Sequence, residues 1–237
     1  CVPVKAAVCP DEPFGLGLRL SAEAALTLGN AGELAAFREL LEQHGLYVFT
    51  VNGFPYGAFH RTRVKESVYQ PDWRSPARAD YTSRLAGILA TLLPEGVEGS
   101  VSTVPVGFRS AFLAEGELDI AACRLVDQAA QLVRLLRETG RLVRVALEHE
   151  PHCVLETVPE AIRFFEERLL GEAARRQMAT ACGFSTSGEA EAALRRHLGI
   201  CLDACHAAVE FEEAALAVGA LRAAGIVIAK VQLSTGL

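Results

Sequence analysis

The stretch LVRVALEHEP, residues 142–151, joins a short apolar, β-branched run to two carboxylates at its end. Gly140 precedes the run and Pro151 closes it, and both residue types interrupt regular structure. A run of this length between such residues predicts a buried strand over 142–147. The polar residues that follow would then lie at the carboxyl end of that strand.

Helical patterns flank the predicted strand on both sides. Before it, apolar residues recur at steps of three and four, which predicts an amphipathic helix that Gly140 closes; they are Ile120, Cys123, Val126, Ala130, Val133 and Leu136. After it, Thr157 and Glu160 form a capping-box pair that predicts the start of another helix. The order helix, strand, helix is therefore predicted around 142–151.

The same alternation extends along the whole chain. Five further runs predict strands over 14–20, 46–51, 99–104, 198–202 and 226–233. Between them, helices are predicted over 21–45, 75–93 and 211–224, and a short one ends at 197, whereas 171–187 has a loose pattern that suggests an insertion. Strands separated by helices predict a parallel α/β sheet, either doubly wound or a (β/α)₈ TIM barrel. The glycine-rich nucleotide motifs G-x-G-x-x-G and G-x-x-x-x-G-K-[ST] are missing, which favours the barrel.

Composition limits the classes of function. The chain has 237 residues, 51% of them hydrophobic, and a formal charge of −6. This composition excludes general disorder, and since no apolar run reaches roughly 18 residues we expect no membrane span. The acidic balance argues against a nucleic-acid partner, because phosphate backbones select basic surfaces.

Cysteine usage indicates a reducing compartment. The seven cysteines are odd in number and include no C-x-x-C pair, so we expect a cytoplasmic protein without disulfides. Cys201 and Cys205 lie four residues apart and could form a thiolate metal site. The alternative, which we favour, is that they are small buried residues near a strand end.

Polar residues lie at or near the ends of four predicted strands, and the segment after the strand over 46–51 supplies Asn52, Tyr56 and His60. Glu148 and Glu150 come after the strand over 142–147, Asp203 and His206 follow the strand over 198–202, and Gln232 lies in the strand over 226–233. Ligands of parallel α/β proteins bind beyond the carboxyl ends of the strands. Carboxylates with an imidazole suit a divalent metal ion, Mn²⁺, Co²⁺, Mg²⁺ or Zn²⁺.

Two alternatives to a metal site remain open from the residues alone. Glu148 and Glu150 could be ion-pair partners of Arg144 or Arg141. Gln232 could belong to a buried hydrogen-bond network without any ion.

The segment GICLDACHAAVEF, residues 199–211, resembles the G-x-C-x-D-x-x-H segment of the xylose isomerase-like TIM-barrel superfamily. That superfamily includes sugar isomerases, epimerases and abasic-site nucleases of the endonuclease IV type. Glu150-Pro151, followed by Glu156, is similar to the Glu-Pro stretch of its ketose 3-epimerases. The resemblance implies that Glu150 binds a metal and that Glu156 contacts substrate.

A closer resemblance, to the EboE family of metabolite traffic proteins, covers nearly the whole chain. It is carried by FGLGLRLS, LYVFTVNGFPYGAFHRTRVKESVYQPDW, SVSTVPVGF, LEHEPHCVLET, GICLDACHAAVEFE and KVQLS. This family belongs to the same superfamily and comes from a bacterial gene cluster, which implies partners encoded in that cluster. By this resemblance residues 1–237 are one domain holding strands two to seven of the barrel, without the first and last strands. Gln232 stands where active relatives often have His.

The resemblance gives a first expectation for function. It implies a metal-binding barrel that acts on or holds a small sugar-like or polyol metabolite, with isomerase or epimerase chemistry through a metal-stabilised enediolate. The residues fall into three groups: catalytic Glu150 and Glu156; substrate-binding Asn52, Tyr56, His60 and Glu148; and metal-binding Glu150, Asp203, His206 and Gln232. The alternative is a non-catalytic metabolite carrier with the same pocket. An abasic-site phosphodiesterase is disfavoured, because it needs further histidines and a basic face.

Overall fold

The computed structural model describes residues 1–57, 68–112, 114 and 116–234, which form an α/β structure around a parallel sheet. The strands are β1 (Phe14–Arg19), β2 (Leu46–Asn52), β3 (Gly99–Thr103), β4 (Val143–Glu148), β5 (Leu198–Asp203) and β6 (Val227–Gln232). They lie side by side in chain order, and each is parallel to the next. The six predicted strands are confirmed.

Helices connect the strands, as parallel neighbours require. They are α1 (Val2–Val8), α2 (Ala22–Leu28), α3 (Ala31–Gln43), α4 (Pro76–Leu92), α5 (Glu117–Thr139), α6 (Val158–Phe164), α7 (Glu172–Cys182), α8 (Ser187–His197), α9 (Ala204–Val209) and α10 (Ala214–Ala223). The capping box predicted at Thr157 and Glu160 is present at the start of α6, and Gly140 ends α5 in the left-handed conformation. In the described part of the chain no helix combines the length and the apolar character needed to cross a bilayer.

The sheet curls into an open half-barrel. Lys230 of β6 donates from Nζ to Oγ of Ser102 on β3 at 3.0 Å, a contact that crosses the concave side of the sheet. Among the described strands β1 and β6 are the two edges and do not pair with each other. The chain therefore has the curvature of a TIM barrel, and the barrel is incomplete in the described residues.

The core lies between the strands and the helices around them. Leu85 and Leu89 of α4, and Leu125 of α5, are fully buried with the inner strands. Trp73, also fully buried, donates from Nε1 to Oγ1 of Thr103 at 3.2 Å and so ties the chain ahead of α4 to the end of β3. This packing fixes the carboxyl ends of the central strands.

Two predicted helices have different boundaries in the structure. The helix predicted over 21–45 is two helices, α2 and α3, because Gly29 ends the first and Asn30 stands at the N-cap of the second. The helix predicted over 211–224 begins only at Ala214. Phe211 has a φ of 58°, a left-handed conformation that a helix cannot include, and Glu213 provides the N-cap.

The segment 171–187, which the loose pattern marks as an insertion, contains the helix α7, which its sequence pattern does not predict. Ala174, Met178 and Cys182 are buried at intervals of four, and α7 packs on α5. This stripe is narrow and lies among charged residues, so its periodicity is weak in the sequence. On α5 the predicted apolar face is also narrower than expected, because Ile120 and Cys123 are exposed.

Candidate metal centre

Three side chains converge at the carboxyl ends of β4 and β5. Glu148 ends β4 and Asp203 ends β5, where their exposures are only 5% and 6%. Asp203 is also the N-cap of α9, since its Oδ1 accepts a hydrogen bond from the Cys205 backbone N–H at 2.8 Å. This cap turns the chain at once into α9, and the first turn of α9 brings His206 back toward the strand end.

Glu148, Asp203 and His206 form a group with the geometry of metal ligands. One ligand atom from each lies within 4.8 Å of the other two. His206 donates from Nδ1 to the backbone carbonyl of His149 at 2.8 Å, because a carbonyl can only accept. This bond fixes the ring and leaves the lone pair of Nε2 available to an ion, which is the usual outer-shell arrangement for a ligating histidine.

Gln232 and Ser234 close the group from the side of β6. The Gln232 amide donates from Nε2 to Oε1 of Glu148 at 2.9 Å and to Oδ2 of Asp203 at 2.7 Å. Ser234 donates from Oγ to Oδ1 of Asp203 at 2.8 Å. The second oxygen of Glu148, Oε2, is buried without a hydrogen-bond partner among the described residues.

The two carboxylates of the group differ in their acidity. Burial raises the pKa of Glu148 to about 7, and the charge of Asp203 adds to this effect while His206 and Lys230 oppose it. Burial also acts to raise the pKa of Asp203. That pKa is nevertheless lowered, by the hydrogen bond from Ser234 and by the charge of His206. Asp203 is therefore the permanent anion of the group, and Glu148 is the one that changes charge near neutral pH.

Glu150 lies beside the group, one pleat beyond Glu148. Its Oε1 is 3.9 Å from Nε2 of His206, and its Oε2 is buried without a hydrogen-bond partner in the described part of the chain. Burial raises its pKa, and the charge of Asp203 adds to this, whereas His206 and the hydroxyl of Tyr69 oppose it. A carboxylate with one oxygen near His206 and the other buried without a partner fits an additional ligand or a base.

Tyr69 is a neighbour of the site that sequence reasoning missed. Its ring stacks on Phe108 at 5.2 Å between centroids and meets Phe54 edge-on at 5.6 Å, and burial together with Cys153 and Glu150 raises its pKa. Tyr69 lies in the long segment between β2 and α4, far from Glu150 in the chain, so no local pattern relates the two residues. The only signal was its place in a segment that carries the resemblance to a family.

A cavity of about 270 Å³ opens beside the three converging side chains. Its wall is made by β1, β2 and the site itself, and the lining residues are Arg19, Asn52, Phe54, Pro55, Val68, Glu148, Glu150 and His206. Asn52 is held by accepting, at Oδ1, the backbone N–H of Phe54 at 3.0 Å. A cavity of this size suits a small metabolite rather than a polymer.

Two other predicted site residues, the substrate-binding Tyr56 and the catalytic Glu156, lie away from the lining of the cavity. Tyr56 packs edge-on against Tyr81, with centroids 5.1 Å apart, and is not among the residues that line the cavity. Glu156 accepts the His152 backbone N–H at 2.7 Å and pairs with Arg109 at 3.0 Å, again outside the cavity lining. The prediction for His60 lies outside the described residues.

The two alternatives to a metal site have different outcomes. Arg144 pairs with Glu98, so it is not the partner of Glu148 or Glu150. Gln232 does belong to a hydrogen-bond network, as the second alternative expects. The thiol of Cys201 is buried and burial raises its pKa, which disfavours a thiolate site there.

The donor set fits a divalent ion. Two carboxylates and one imidazole nitrogen lie close together, with a third carboxylate next to them, and this mixture of oxygen and nitrogen suits Mn²⁺, Co²⁺, Mg²⁺ or Zn²⁺. The unpartnered buried oxygens of Glu148 and Glu150 support the fit, since such atoms normally have partners.

No protein-family model matches this sequence, and neither does any curated protein. Among solved structures, a xylose isomerase domain protein from Alicyclobacillus acidocaldarius subsp. acidocaldarius is similar, with a TM-score of 0.50, 14% sequence identity and 89% of this chain covered. The chain spans 60% of the length of that protein. At this identity the likeness shows the fold alone, which is that of a TIM barrel.

Proposed function

We propose that this protein is a divalent-metal-binding barrel that acts on a small sugar-like or polyol metabolite, with isomerase or epimerase chemistry. The observation that carries the proposal is the convergence of Glu148, Asp203 and His206 at the carboxyl ends of the strands, beside a cavity of metabolite size. The similar solved structure is that of a xylose isomerase domain protein, and this likeness supports the same chemical class.

In this proposal Glu148, Asp203 and His206 hold the ion. A bound divalent ion supplies a Lewis acid that polarises a substrate carbonyl. His206 is kept in the ligating tautomer by its bond to the His149 carbonyl. Glu148, which was predicted to bind substrate, becomes a metal ligand in this proposal.

Glu150 has the properties of the general base. Its carboxylate borders the cavity, and burial raises its pKa toward the range in which a base works at neutral pH. It would take the proton from the carbon next to the carbonyl, and Asn52 and Arg19, which line the same cavity, would hold substrate oxygens. Glu150 is close enough to His206 to serve as a further ligand as well, as the resemblance implies.

Metal analysis of the purified chain tests the ligand set. We expect about one divalent ion per chain, and the double variant Asp203→Ala/His206→Ala should lose it, because the group then keeps one of its three ligands. The matched control is Asp11→Ala/His44→Ala, which removes the same residue types from exposed positions. Full metal content in the first double variant would overturn the assignment.

Solvent exchange tests the chemistry. A panel of ketoses incubated with the metal-loaded protein in deuterated buffer should take up deuterium at the carbon next to the carbonyl. Glu150→Gln should abolish this uptake while the ion stays bound, since the amide cannot accept the proton. If the Glu150→Gln variant loses both the ion and the uptake of deuterium, Glu150 is instead a required metal ligand.

A metabolite carrier of the EboE type is the second candidate. Two observations favour it: the Gln232 amide already joins Glu148 and Asp203, and Glu156 is bonded to Arg109 outside the cavity lining. A carrier would bind its metabolite and return it without deuterium. The Glu150→Gln variant of a carrier would also bind the metabolite as tightly as the unchanged protein does.

A further inference from the structure

Gln232 lies at the one place in the described site where an uncharged side chain contacts both buried carboxylates. We infer that Gln232 sets the cation preference of this site, by competing with the ion through its amide nitrogen and by offering it only an amide oxygen. The inference rests on the proposed metal site and assigns to one residue the choice among divalent ions.

The orientation of the Gln232 amide follows from its neighbours. The ionised Asp203 carboxylate can only accept, so the end of the amide that contacts its Oδ2 must be the NH₂ group, and the same nitrogen lies 2.9 Å from Oε1 of Glu148. Its two hydrogens thus neutralise part of the charge that an ion would neutralise. This nitrogen has no lone pair for a metal, so Gln232 can bind an ion only after the amide turns and presents Oε1.

Turning the amide has a cost that depends on this chain. Both hydrogen bonds go to carboxyl oxygens, and the one to Asp203, the permanent anion of the group, is stronger than a bond to a neutral acceptor. An ion therefore has to displace them before Gln232 can ligate. In the described structure the amide acts as an internal competitor, which weakens the binding of every divalent ion.

The backbone places residue 232 where it belongs to the ligand set. Asp203 and Gln232 are direct partners in the register of β5 and β6, so their side chains leave the sheet next to each other. A ligand at 232 that presents oxygen makes a set of three oxygens and one nitrogen. A histidine there would make a set of two oxygens and two nitrogens.

These two sets favour different ions. Oxygen-rich sets suit Mn²⁺ and Mg²⁺, whereas imidazole nitrogens favour Zn²⁺. Zn²⁺ binds most sites more tightly than Mn²⁺ does, so the informative quantity is the ratio of the two dissociation constants. With Gln232 in place, the preference for Zn²⁺ over Mn²⁺ should be small.

The experiment measures Mn²⁺ and Zn²⁺ binding to the full chain. Free Mn²⁺ is followed by its electron paramagnetic resonance signal, and Zn²⁺ is added as a competitor. We expect Gln232→His to raise the preference for Zn²⁺ at least tenfold, and bound Co²⁺ should show the absorption of a more nitrogen-rich site. Gln131→His, the same change at an exposed position on α5, should leave the ratio unchanged.

A second variant guards against a folding defect. Gln232→Glu removes the competing donor but keeps an oxygen ligand, so both ions should bind more tightly and their ratio should stay within about threefold of the original. Both variants must keep the circular dichroism of the unchanged chain. If the original chain binds Mn²⁺ and the folded Gln232→His variant has the same ratio of Mn²⁺ and Zn²⁺ dissociation constants, the inference is overturned but the proposed metal site is not. No binding of either ion by the original chain would overturn the proposed metal site and the inference with it.

Discussion

The two sides of the candidate metal centre stand on different parts of the sheet. Glu148 and Asp203 end β4 and β5, in which every residue except Arg144 is buried. Gln232 and Ser234 come from β6 and the residues after it. No residue of β6 is buried, and Val231 is 53% exposed.

This difference separates a rigid side of the site from an adjustable one. Buried strands are close-packed on both faces, so the two carboxylates can shift little relative to each other. The side chains on β6 have fewer neighbours and can rearrange at lower cost. The carboxylates therefore define the site, and Gln232 can change its orientation when an ion binds.

The largest expected effect compares one residue from each side. Leu147→Ala on β4 should lower the free energy of unfolding by about 3 kcal/mol, because a fully buried leucine leaves a cavity that its neighbours cannot fill. Val231→Ala on β6 should lower it by about 0.5 kcal/mol, as expected for an exposed position. Urea unfolding at one pH and with a chelator measures both values. Similar losses for the two variants would mean that β6 is packed in solution as β4 is.

The second prediction concerns the charge of Glu148. Its pKa is raised from 4.5 to about 7, so the folded protein favours the protonated carboxyl. The stability from this preference is complete below pH about 4.5 and is lost as the pH rises through about 7. Between pH 5 and pH 8, the free energy of unfolding of the metal-free protein should fall by about 2 kcal/mol more than that of the Glu148→Gln variant. The glutamine of that variant cannot ionise.

Unfolding curves at both pH values, with a chelator present, measure this difference. The control is Glu95→Gln, which removes an exposed carboxyl and should keep the pH dependence of the original chain. If Glu148→Gln loses as much stability as the original chain over this range, the burial of Glu148 does not raise its pKa.

The fold was predictable because its signals are local. The β-branched run over 142–147, the capping box at Thr157 and the glycine at 140 each depend on residues a few positions apart. The helix α7 was missed because its buried stripe is narrow, with Met178 as its one large residue. Where the local signal was weak, packing on α5 decided the structure.

The site was predictable only in part. Asp203 and His206 could be paired from their spacing, because the N-cap of α9 is a local structure. The period of a strand puts Glu148 and Glu150 on the same face. The distance of each carboxylate from Asp203 and His206, however, depends on the curvature of the sheet. The contacts of Glu150 with Tyr69, and of Glu156 with Arg109, join residues far apart in the chain.

The smallest expected effect tests the adjustable side alone. Ser234 is exposed but donates to Oδ1 of Asp203 at 2.8 Å, and this bond helps to lower the pKa of that carboxyl. Ser234→Ala should cost about 0.5 kcal/mol of stability, because water can replace an exposed donor.

The same variant should release its metal at a higher pH than the original chain. Without the donor from Ser234 the pKa of Asp203 rises, and protons then compete with the ion at lower acidity. A Mn²⁺ titration at several pH values measures the shift, with Ser187→Ala, an exposed serine on α8, as the control. A stability loss as large as that of Leu147→Ala would contradict the division of the site, because it would make the segment after β6 as firmly packed as the central strands.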